Sequence, residues 1–152
     1  MLKIESLFNE IKKKIESASK ILKAIGYNIY KISPLEFYEY VSGETPTGDK
    51  VMLDEILANE YFMMHEIVEI CELKKMKIPI DKDTVIKYHP IVYRAHLTAA
   101  EWELKYALER KDFKWIRKRL KHAREWLNDK LLPIQLLPKC KSLIDKFSNV
   151  SL

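Results

Sequence analysis

Residues 59–73, with the sequence NEYFMMHEIVEICEL, concentrate side chains that bind metal ions or transfer protons. The segment holds four carboxylates, one histidine and no lysine or arginine. Carboxylate oxygens and imidazole nitrogens are ligands of Zn, Fe and Mn, and they also serve as general acids and bases. His65 and Glu69 are four residues apart, so in a helix they lie on one face and can share a metal ion or hydrogen-bond each other. The segment predicts either a metal or catalytic cluster or the solvated face of an ordinary helix.

Glu60 stands apart from the other acidic residues of this segment. If residues 50–76 form one continuous helix, Glu60 falls on its apolar side, between Ile56 and Met63. An ionised carboxylate in such a place needs a cation, a metal ion or a proton. The polar side of the same helix is predicted to face solvent, and it carries His65, Glu66, Glu69 and Glu72.

The next predicted helix supplies partners for this carboxylate. His96, Glu103 and Arg110 recur at seven-residue steps through an alanine-rich surface that allows close helix approach. If the two helices pack through these faces, a divalent-metal site for Zn, Fe or Mn is predicted at Glu60, His65, His96 and Glu103. This metal site is the alternative, and the sequence favours a chain without a cofactor, in which a buried Glu60 pairs with Arg110 or His96. The chain lacks the Glu-x-x-His pairs of helical di-metal proteins, and HEIVE lacks the second histidine of the His-Glu-x-x-His zinc proteases.

A basic helix is predicted towards the end of the chain. Residues 111–130 contain eight lysines and arginines against three acidic residues, whereas residues 51–73 contain six acidic residues and no base. The basic helix has an apolar stripe for docking on its own bundle. A second face of this helix carries aromatic rings and basic side chains and is predicted to be a binding surface. It consists of Trp115, Arg119, His122 and Trp126. Its expected partner is another protein or a second copy of the chain, with nucleic acid as an alternative. In the other interpretation the tryptophans only cover an edge of the bundle.

The same helix contains Arg117 and His122, separated by four residues. This spacing resembles the motif of the HEPN superfamily of helical-bundle ribonucleases, in which four to six residues lie between an Arg and a His. The resemblance covers six residues, RKRLKH, and Lys118 replaces the polar residue often found directly after the motif's Arg. It implies metal-independent cleavage of RNA, with Arg117 and His122 acting on the phosphodiester, usually in a dimer.

Helical periodicity runs through nearly the whole chain, and no segment shows the alternation of a strand. The pattern predicts an all-α, single-domain antiparallel bundle of about four long helices with one or two short ones. Helix boundaries are indicated by Gly26, by Ser33 before Pro34, by Asp49 and by the His89-Pro90 pair. The predicted helices cover residues 1–25, 34–42, 50–76, 112–132 and 139–147, and a further helix runs to about 110 and is entered or kinked at the His89-Pro90 pair.

Length and composition set the class of protein. With 152 residues, 47% of them hydrophobic, the chain is predicted to form one domain over 1–152. No segment is apolar enough to predict a membrane span or a signal peptide, so a cytoplasmic location is expected. Cys71 and Cys140 are predicted to be buried thiols without a disulfide. Heavy use of Lys, Glu and Ile with a single Gln is typical of heat-stable proteins.

The sequence favours a binding or interaction module that uses the basic tryptophan-containing helix. Two other functions are kept open. One is a bundle with a buried Glu/His metal site, with or without enzymatic activity, and the other is the ribonuclease that the Arg117 and His122 spacing implies. Whether the chain is an enzyme is left open by the sequence.

Overall fold

The structure, a computed structural model, describes residues 2–46, 48 and 50–150 of the chain. Within these ranges the backbone forms eight α-helices, one 3-10 turn and no strand, so the all-α prediction is confirmed. The helices are α1 (Leu2–Ala24), α2 (Pro34–Ser42), α3 (Leu53–Leu57), α4 (Glu60–Lys75), α5 (Thr84–Lys87), α6 (His89–Glu109), α7 (Phe113–Trp126) and α8 (Leu137–Ser148). The 3-10 turn, Ile134–Leu136, leads into α8.

Helices α4 and α6 form the central pair of the bundle, and they run antiparallel. Glu60 at the start of α4 contacts Arg110 just after the end of α6, whereas His65 further along α4 contacts His96 nearer the start of α6. Small side chains on α6 let the two helices approach closely, and the buried ones are Ala95, Ala99, Ala100 and Ala107. Helices α1 and α2 pack on α4, while α7 and α8 pack on α6. The central pair is therefore covered from two sides.

The residues predicted to begin and end the first two helices do so in the structure. Gly26 follows α1 with φ +99°, a left-handed conformation that glycine adopts without steric cost. Ser33 caps α2 through a reciprocal arrangement with Glu36, and Pro34 occupies the first turn. Both boundaries were predicted correctly.

The prediction of one helix over residues 50–76 is wrong. The chain breaks after α3 at Ala58, and Asn59 then caps α4 by accepting hydrogen bonds from the backbone N–H groups of Tyr61 and Phe62. An Asn side chain offers the backbone this alternative to a continuous helix. Asp49, predicted as the cap, lies outside the described residues. Because the break changes the rotational phase, a single helical wheel drawn through both helices misplaces Glu60.

The later boundaries follow the prolines. Helix α6 begins at His89 with Pro90 in its first turn, as predicted, and α7 starts after Asp112, whose side chain caps it. Helix α7 ends at Trp126, about one and a half turns before the predicted end. Residues 127–133 form turns instead, leading to Pro133 and the 3-10 turn.

Both cysteines, Cys71 and Cys140, are buried free thiols, as predicted. They belong to two of the three apolar clusters that fill the bundle on either side of the central pair. None of the described helices has the length and apolar character that crossing a lipid bilayer requires.

Candidate metal centre

Three potential metal ligands meet where α4 faces α6. His65 and Glu69, one turn apart on α4, lie opposite His96 on α6. The Nε2 atom of His65 is 3.1 Å from Oε2 of Glu69 and 3.0 Å from Nδ1 of His96, and the same Oε2 is 3.4 Å from Nδ1 of His96. His65 and Glu69 are buried, and His96 is partly buried. The three atoms form a compact triangle of lone-pair donors.

The size of this triangle suits a first-row transition metal. Metal–ligand bonds of about 2.0–2.1 Å place neighbouring ligand atoms about 3.3 Å apart in a tetrahedral site and about 2.9 Å apart in an octahedral one. The observed edges of 3.0, 3.1 and 3.4 Å fall around these values. Two imidazole nitrogens and one carboxylate oxygen are a ligand set used by catalytic Zn²⁺ and by non-haem Fe²⁺, with coordination positions left open.

A second layer of contacts orients His65. Its Nδ1 atom lies 2.9 Å from Oε1 of Glu103, a carboxylate of α6 that is completely buried. Glu103 is held by Arg119 of α7, whose Nε donates to Oε2 at 2.7 Å, and by the indole N–H of Trp115, also at 2.7 Å. An ionised carboxylate only accepts, so Nδ1 of His65 carries a hydrogen and its Nε2 faces the triangle. Carboxylate–histidine pairs of this kind orient metal-binding histidines in other proteins.

The other oxygen of Glu69 is also bound. The Tyr40 hydroxyl of α2 donates to Oε1 of Glu69, which leaves Oε2 for the triangle. Burial and the negative charge of Glu69 raise the pKa of Tyr40 well above its usual range, so the hydroxyl keeps its proton. The carboxylate thus has one oxygen fixed by the protein and one directed at the two histidines.

Electrostatics in the metal-free protein place a proton inside the triangle. Burial favours neutral His65, but hydrogen bonds to Glu103 and Glu69 outweigh burial and raise its pKa to about 10. Burial also opposes ionisation of Glu69, yet hydrogen bonds from His65 and His96 hold its pKa well below its usual range. For His96, burial outweighs the contact with Glu69 and lowers the pKa, so its ring is neutral near pH 7. In the protonated form of His65, the Nε2–H group would face two acceptors, Oε2 of Glu69 and Nδ1 of His96.

One carboxylate oxygen of this region, on Glu66, is left without a hydrogen bond among the described residues. This oxygen, Oε2, is enclosed. Burial and the nearby charge of Glu69 raise the pKa of Glu66 to about 8. A buried acceptor without a partner is costly, and in native proteins it commonly marks a place where a ligand, ion or water binds.

A cavity of about 320 Å³ opens above the triangle and brings Glu66 and the three ligands to one space. That volume is at the small end of the range for small-molecule sites. Its polar lining residues are Tyr40, Thr45, Lys50, His65, Glu66, Glu69, His96, Arg119, His122 and Glu125. Its apolar lining comes from Val41, Gly43, Val51, Ile56, Phe62, Val85 and Trp126. Six helices, α2 to α7, together with Gly43, Thr45, Lys50 and Val51, therefore build one chamber around the candidate centre.

Of the four residues predicted as metal ligands, the structure brings three together. His65 and His96 belong to the triangle, and Glu103 contacts the opposite nitrogen of His65. Glu60 lies elsewhere, with 39% of its side chain exposed, and binds Arg110 at 2.8 Å and the Tyr106 hydroxyl at 2.5 Å. The prediction of a buried Glu60 is wrong, because α4 begins at this residue instead of running through it. The alternative pairing with Arg110 is the one observed.

The face predicted as a contact surface on α7 packs inward. Arg119 is buried against Glu103, and Trp115 stacks on Tyr61 with 4.7 Å between ring centroids. The Trp126 ring lies 4.5 Å from that of His96, edge to face. The second neighbour that these tryptophans require is thus found within the chain. Whether the remaining exposed part of α7 binds a partner stays a prediction.

Arg117 and His122, the pair that resembles the ribonuclease motif, point to different surroundings. Arg117 is exposed to solvent, whereas His122 is partly buried and lines the cavity. The Nδ1 atom of His122 lies 3.1 Å from a guanidinium nitrogen of Arg119. Burial, together with the positive charge of Arg119, lowers the pKa of His122. The neighbour of this histidine is therefore Arg119 and not Arg117.

The sequence patterns did not indicate two residues of the candidate centre, and on one interpretation they predicted a solvent-exposed position for two others. Glu66 and Tyr40 were not predicted as functional, and His65 and Glu69 were predicted to face solvent, although both are buried. The HEIVE segment contained the usable signal, because it puts His65 and Glu69 one turn apart with Glu66 directly after the histidine. Tyr40 lies 29 residues from Glu69, and no local pattern connects the two.

Comparisons of the chain with protein-family models, with curated proteins and with solved structures find no match. The chemistry of the centre is therefore argued from its own residues.

Proposed function

We propose that this protein binds one divalent transition-metal ion, Zn, Fe or Mn, through His65, Glu69 and His96. The observation that carries this proposal is the convergence of Nε2 of His65, Oε2 of Glu69 and Nδ1 of His96 within 3.4 Å of one another beside a cavity. Three ligands from the protein leave coordination positions open towards the cavity, which is the arrangement of a catalytic and not a structural site.

The surrounding contacts support a metal centre over a purely structural cluster. A structural cluster needs only complementary charges, whereas here each ligand is also fixed from outside the triangle. Glu103 fixes the ring of His65, Tyr40 fixes one oxygen of Glu69, and Trp126 packs on His96. Such fixed ligands lower the cost of ordering a metal site.

Metal content of the purified protein tests the proposal directly. The protein is prepared without a histidine tag, stripped with a chelator, dialysed and titrated with Zn²⁺, Mn²⁺ and Fe²⁺, the last under anaerobic conditions. We expect one ion per chain in wild type, and a loss of affinity of at least about 100-fold in His65→Ala and in His96→Ala, since each removes a direct ligand.

A matched control comes from the chain itself. His89 also lies on α6, but its ring contacts Tyr93 and it is not part of the triangle. The His89→Ala variant should bind metal as wild type does. Because the Trp126 ring lies against His96, a paramagnetic ion such as Mn²⁺ should quench tryptophan fluorescence, and Trp126→Phe should remove most of this signal. Equal metal content in wild type and in His65→Ala with His96→Ala combined would refute the site.

A further inference from the structure

The carboxylate of Glu66 has a position relative to the metal ligands that suggests what the centre does. His65 and Glu69 supply two ligands at positions i and i+4 of one helix, and Glu66 directly follows the first ligand. In the His-Glu-x-x-His zinc proteases a helix supplies two ligands at the same spacing, and the glutamate after the first histidine is the general base. Here Glu69 takes the place of the second histidine, and His96 of α6 provides the third ligand.

The surroundings of Glu66 fit this role. Glu66 lines the same cavity as all three ligands, and its enclosed Oε2 finds no hydrogen-bond partner in the part of the chain that the structure describes. The two buried carboxylates beside it are engaged, since Glu69 is bound by Tyr40 and His65, and Glu103 is bound by Arg119. Glu66 is thus available for a water molecule on the metal or for a substrate.

The charges in the cavity indicate the class of substrate. Lys50 donates to the backbone carbonyls of Ser42 and Gly43, and Arg119 is paired with Glu103. Among the described lining residues these are the only lysine and arginine, and the charge of Arg119 is neutralised by Glu103. The charge of Lys50 is opposed by the carboxylates of Glu69 and Glu125 in the same lining. A neutral molecule is therefore favoured.

The cavity also offers one donor and an apolar wall. Nδ1 of His122 receives a hydrogen bond from Arg119, which can only donate, so the ring is neutral and its proton is on Nε2. That N–H, with no partner among the described residues, is available to a carbonyl oxygen. Five aliphatic and aromatic side chains that line the cavity can hold a small apolar group, and they are Val41, Val51, Ile56, Phe62 and Val85.

From this arrangement we infer that the centre is a hydrolase of small neutral esters or amides, with Glu66 as the general base and His122 as the hydrogen-bond donor to the substrate oxygen. The inference rests on the proposed metal site. An ion held by His65, Glu69 and His96 would make a water molecule more acidic, and Glu66 takes one proton from that water. The hydroxide oxygen forms a bond to the carbonyl carbon, and the electron pair of the carbonyl moves onto its oxygen. That pair returns as the carbon–oxygen or carbon–nitrogen bond breaks, and the alcohol or amine leaves with the proton from Glu66. One water is consumed, and one carboxylic acid is formed.

Chromogenic substrates test this step on the Zn²⁺-loaded full chain. We expect hydrolysis of 4-nitrophenyl acetate and of 4-nitroacetanilide, and none of 4-nitrophenyl phosphate. Removing a positioned general base typically costs about 10²–10⁴-fold in rate, so Glu66→Gln should lower kcat by at least about 100-fold. Metal content should be unchanged, because Glu66 is not one of the three ligands. In ¹⁸O-labelled water the acid product should gain one labelled oxygen.

A binding measurement separates the role of Glu66 from activity alone. Acetohydroxamate coordinates zinc-type ions, and its N–H is a donor for a neighbouring carboxylate. With Co²⁺ in place of Zn²⁺, its binding changes the visible absorption, and we expect at least about tenfold weaker binding in Glu66→Gln. Glu109→Gln is the matched control, because Glu109 is an exposed residue of α6 far from the cavity lining, and it should match wild type in both assays.

The outcomes distinguish the two proposals. If wild type binds one ion but cleaves neither the ester nor the anilide faster than Glu66→Gln does, the proposed hydrolase activity is refuted and the proposed metal site stands. Equal kcat and equal hydroxamate affinity in wild type and Glu66→Gln would also refute the role of Glu66. Cleavage of the phosphate ester instead of the neutral substrates would overturn the substrate class. If no ion binds, both proposals fail.

Discussion

Two carboxylate–arginine pairs join helices in this bundle, and they differ mainly in their exposure to water. The pair of Glu103 and Arg119 is buried, with 0% and 10% of the side chains exposed, while Glu60 and Arg110 are 39% and 49% exposed. Their shortest distances, 2.7 and 2.8 Å, are nearly equal. Burial, and not the distance between the charged atoms, therefore determines how much each pair contributes to the free energy of unfolding. In the buried pair each charge depends on the other, whereas water can replace either partner at the surface.

The largest difference in stability between the two pairs is expected when the arginine of each pair is replaced. Arg119→Met leaves the fully buried Glu103 without its cation, and breaking a buried pair in this way costs about 3–5 kcal/mol of the free energy of unfolding. Arg110→Met removes an exposed partner, and the cost should be about 0–1 kcal/mol. Urea unfolding of the metal-free variants measures both values. Equal losses would mean that burial does not separate the two pairs.

The glutamates should differ in their effect on metal affinity. In Glu103→Gln the amide oxygen still accepts from Nδ1 of His65, but the charge that orients and polarises the ring is lost. Metal affinity should fall about 10–100-fold, as is typical for residues that support a ligand. Glu60→Gln, which changes the same group on the exposed pair, should leave affinity unchanged. Competition with a chromogenic chelator, on variants shown by circular dichroism to be folded, gives the values. Unchanged affinity in Glu103→Gln would contradict the orienting role.

A buried and an exposed tyrosine–glutamate hydrogen bond extend the same comparison. Tyr40 donates to the buried Glu69, and Tyr106 donates to the exposed Glu60. A hydrogen bond to a charged group is worth about 1.5 kcal/mol or more when both partners are buried, so Tyr40→Phe should destabilise the protein by about that amount. Tyr106→Phe should cost less than about 0.5 kcal/mol, because water replaces the hydroxyl. Thermal or urea unfolding of both variants under identical conditions measures the two losses of stability. A larger loss in Tyr106→Phe than in Tyr40→Phe would contradict the expected effect of burial.

The smallest effect is expected at the partly exposed pair of Glu36 and Lys74, 2.8 Å apart. Partial burial opposes ionisation of Glu36, but Lys74 and the backbone of Ser33 outweigh it and lower the pKa. A lowered pKa in the folded state stabilises the protein above the unfolded value of about 4.3, and this contribution is lost as pH falls through the folded value. Solvent screening keeps it below about 1 kcal/mol. Between pH 6 and pH 3 the free energy of unfolding should fall slightly less in Glu36→Gln than in wild type. An identical dependence of that free energy on pH in the two proteins would contradict this expectation.

Sequence patterns predicted the helical class and most boundaries, because caps and prolines act locally. They failed at the centre for two physical reasons. The break at Asn59 depends on a side-chain hydrogen bond that competes with a continuous helix, and it moved Glu60 to the surface. In addition, α4 is covered by α1 and α2 on one side and by α6 on the other, so its polar residues are enclosed although they resemble a solvated face. Only the tertiary packing determines that His65 and Glu69 face inward.

The spacing of the three proposed ligands along the chain also has a consequence for the folding kinetics. His65 and Glu69 are separated by four residues, so a single helical turn unites them, whereas His96 lies 31 residues beyond His65. An ion captured by the local pair would close the longer loop on meeting His96, before the rest of the bundle has packed. Each ion bound in this way removes part of the loop-closure entropy that the α4–α6 hairpin must otherwise overcome. Refolding should therefore start from this hairpin and become faster when metal is present, even though α7 and α8 contribute no ligand.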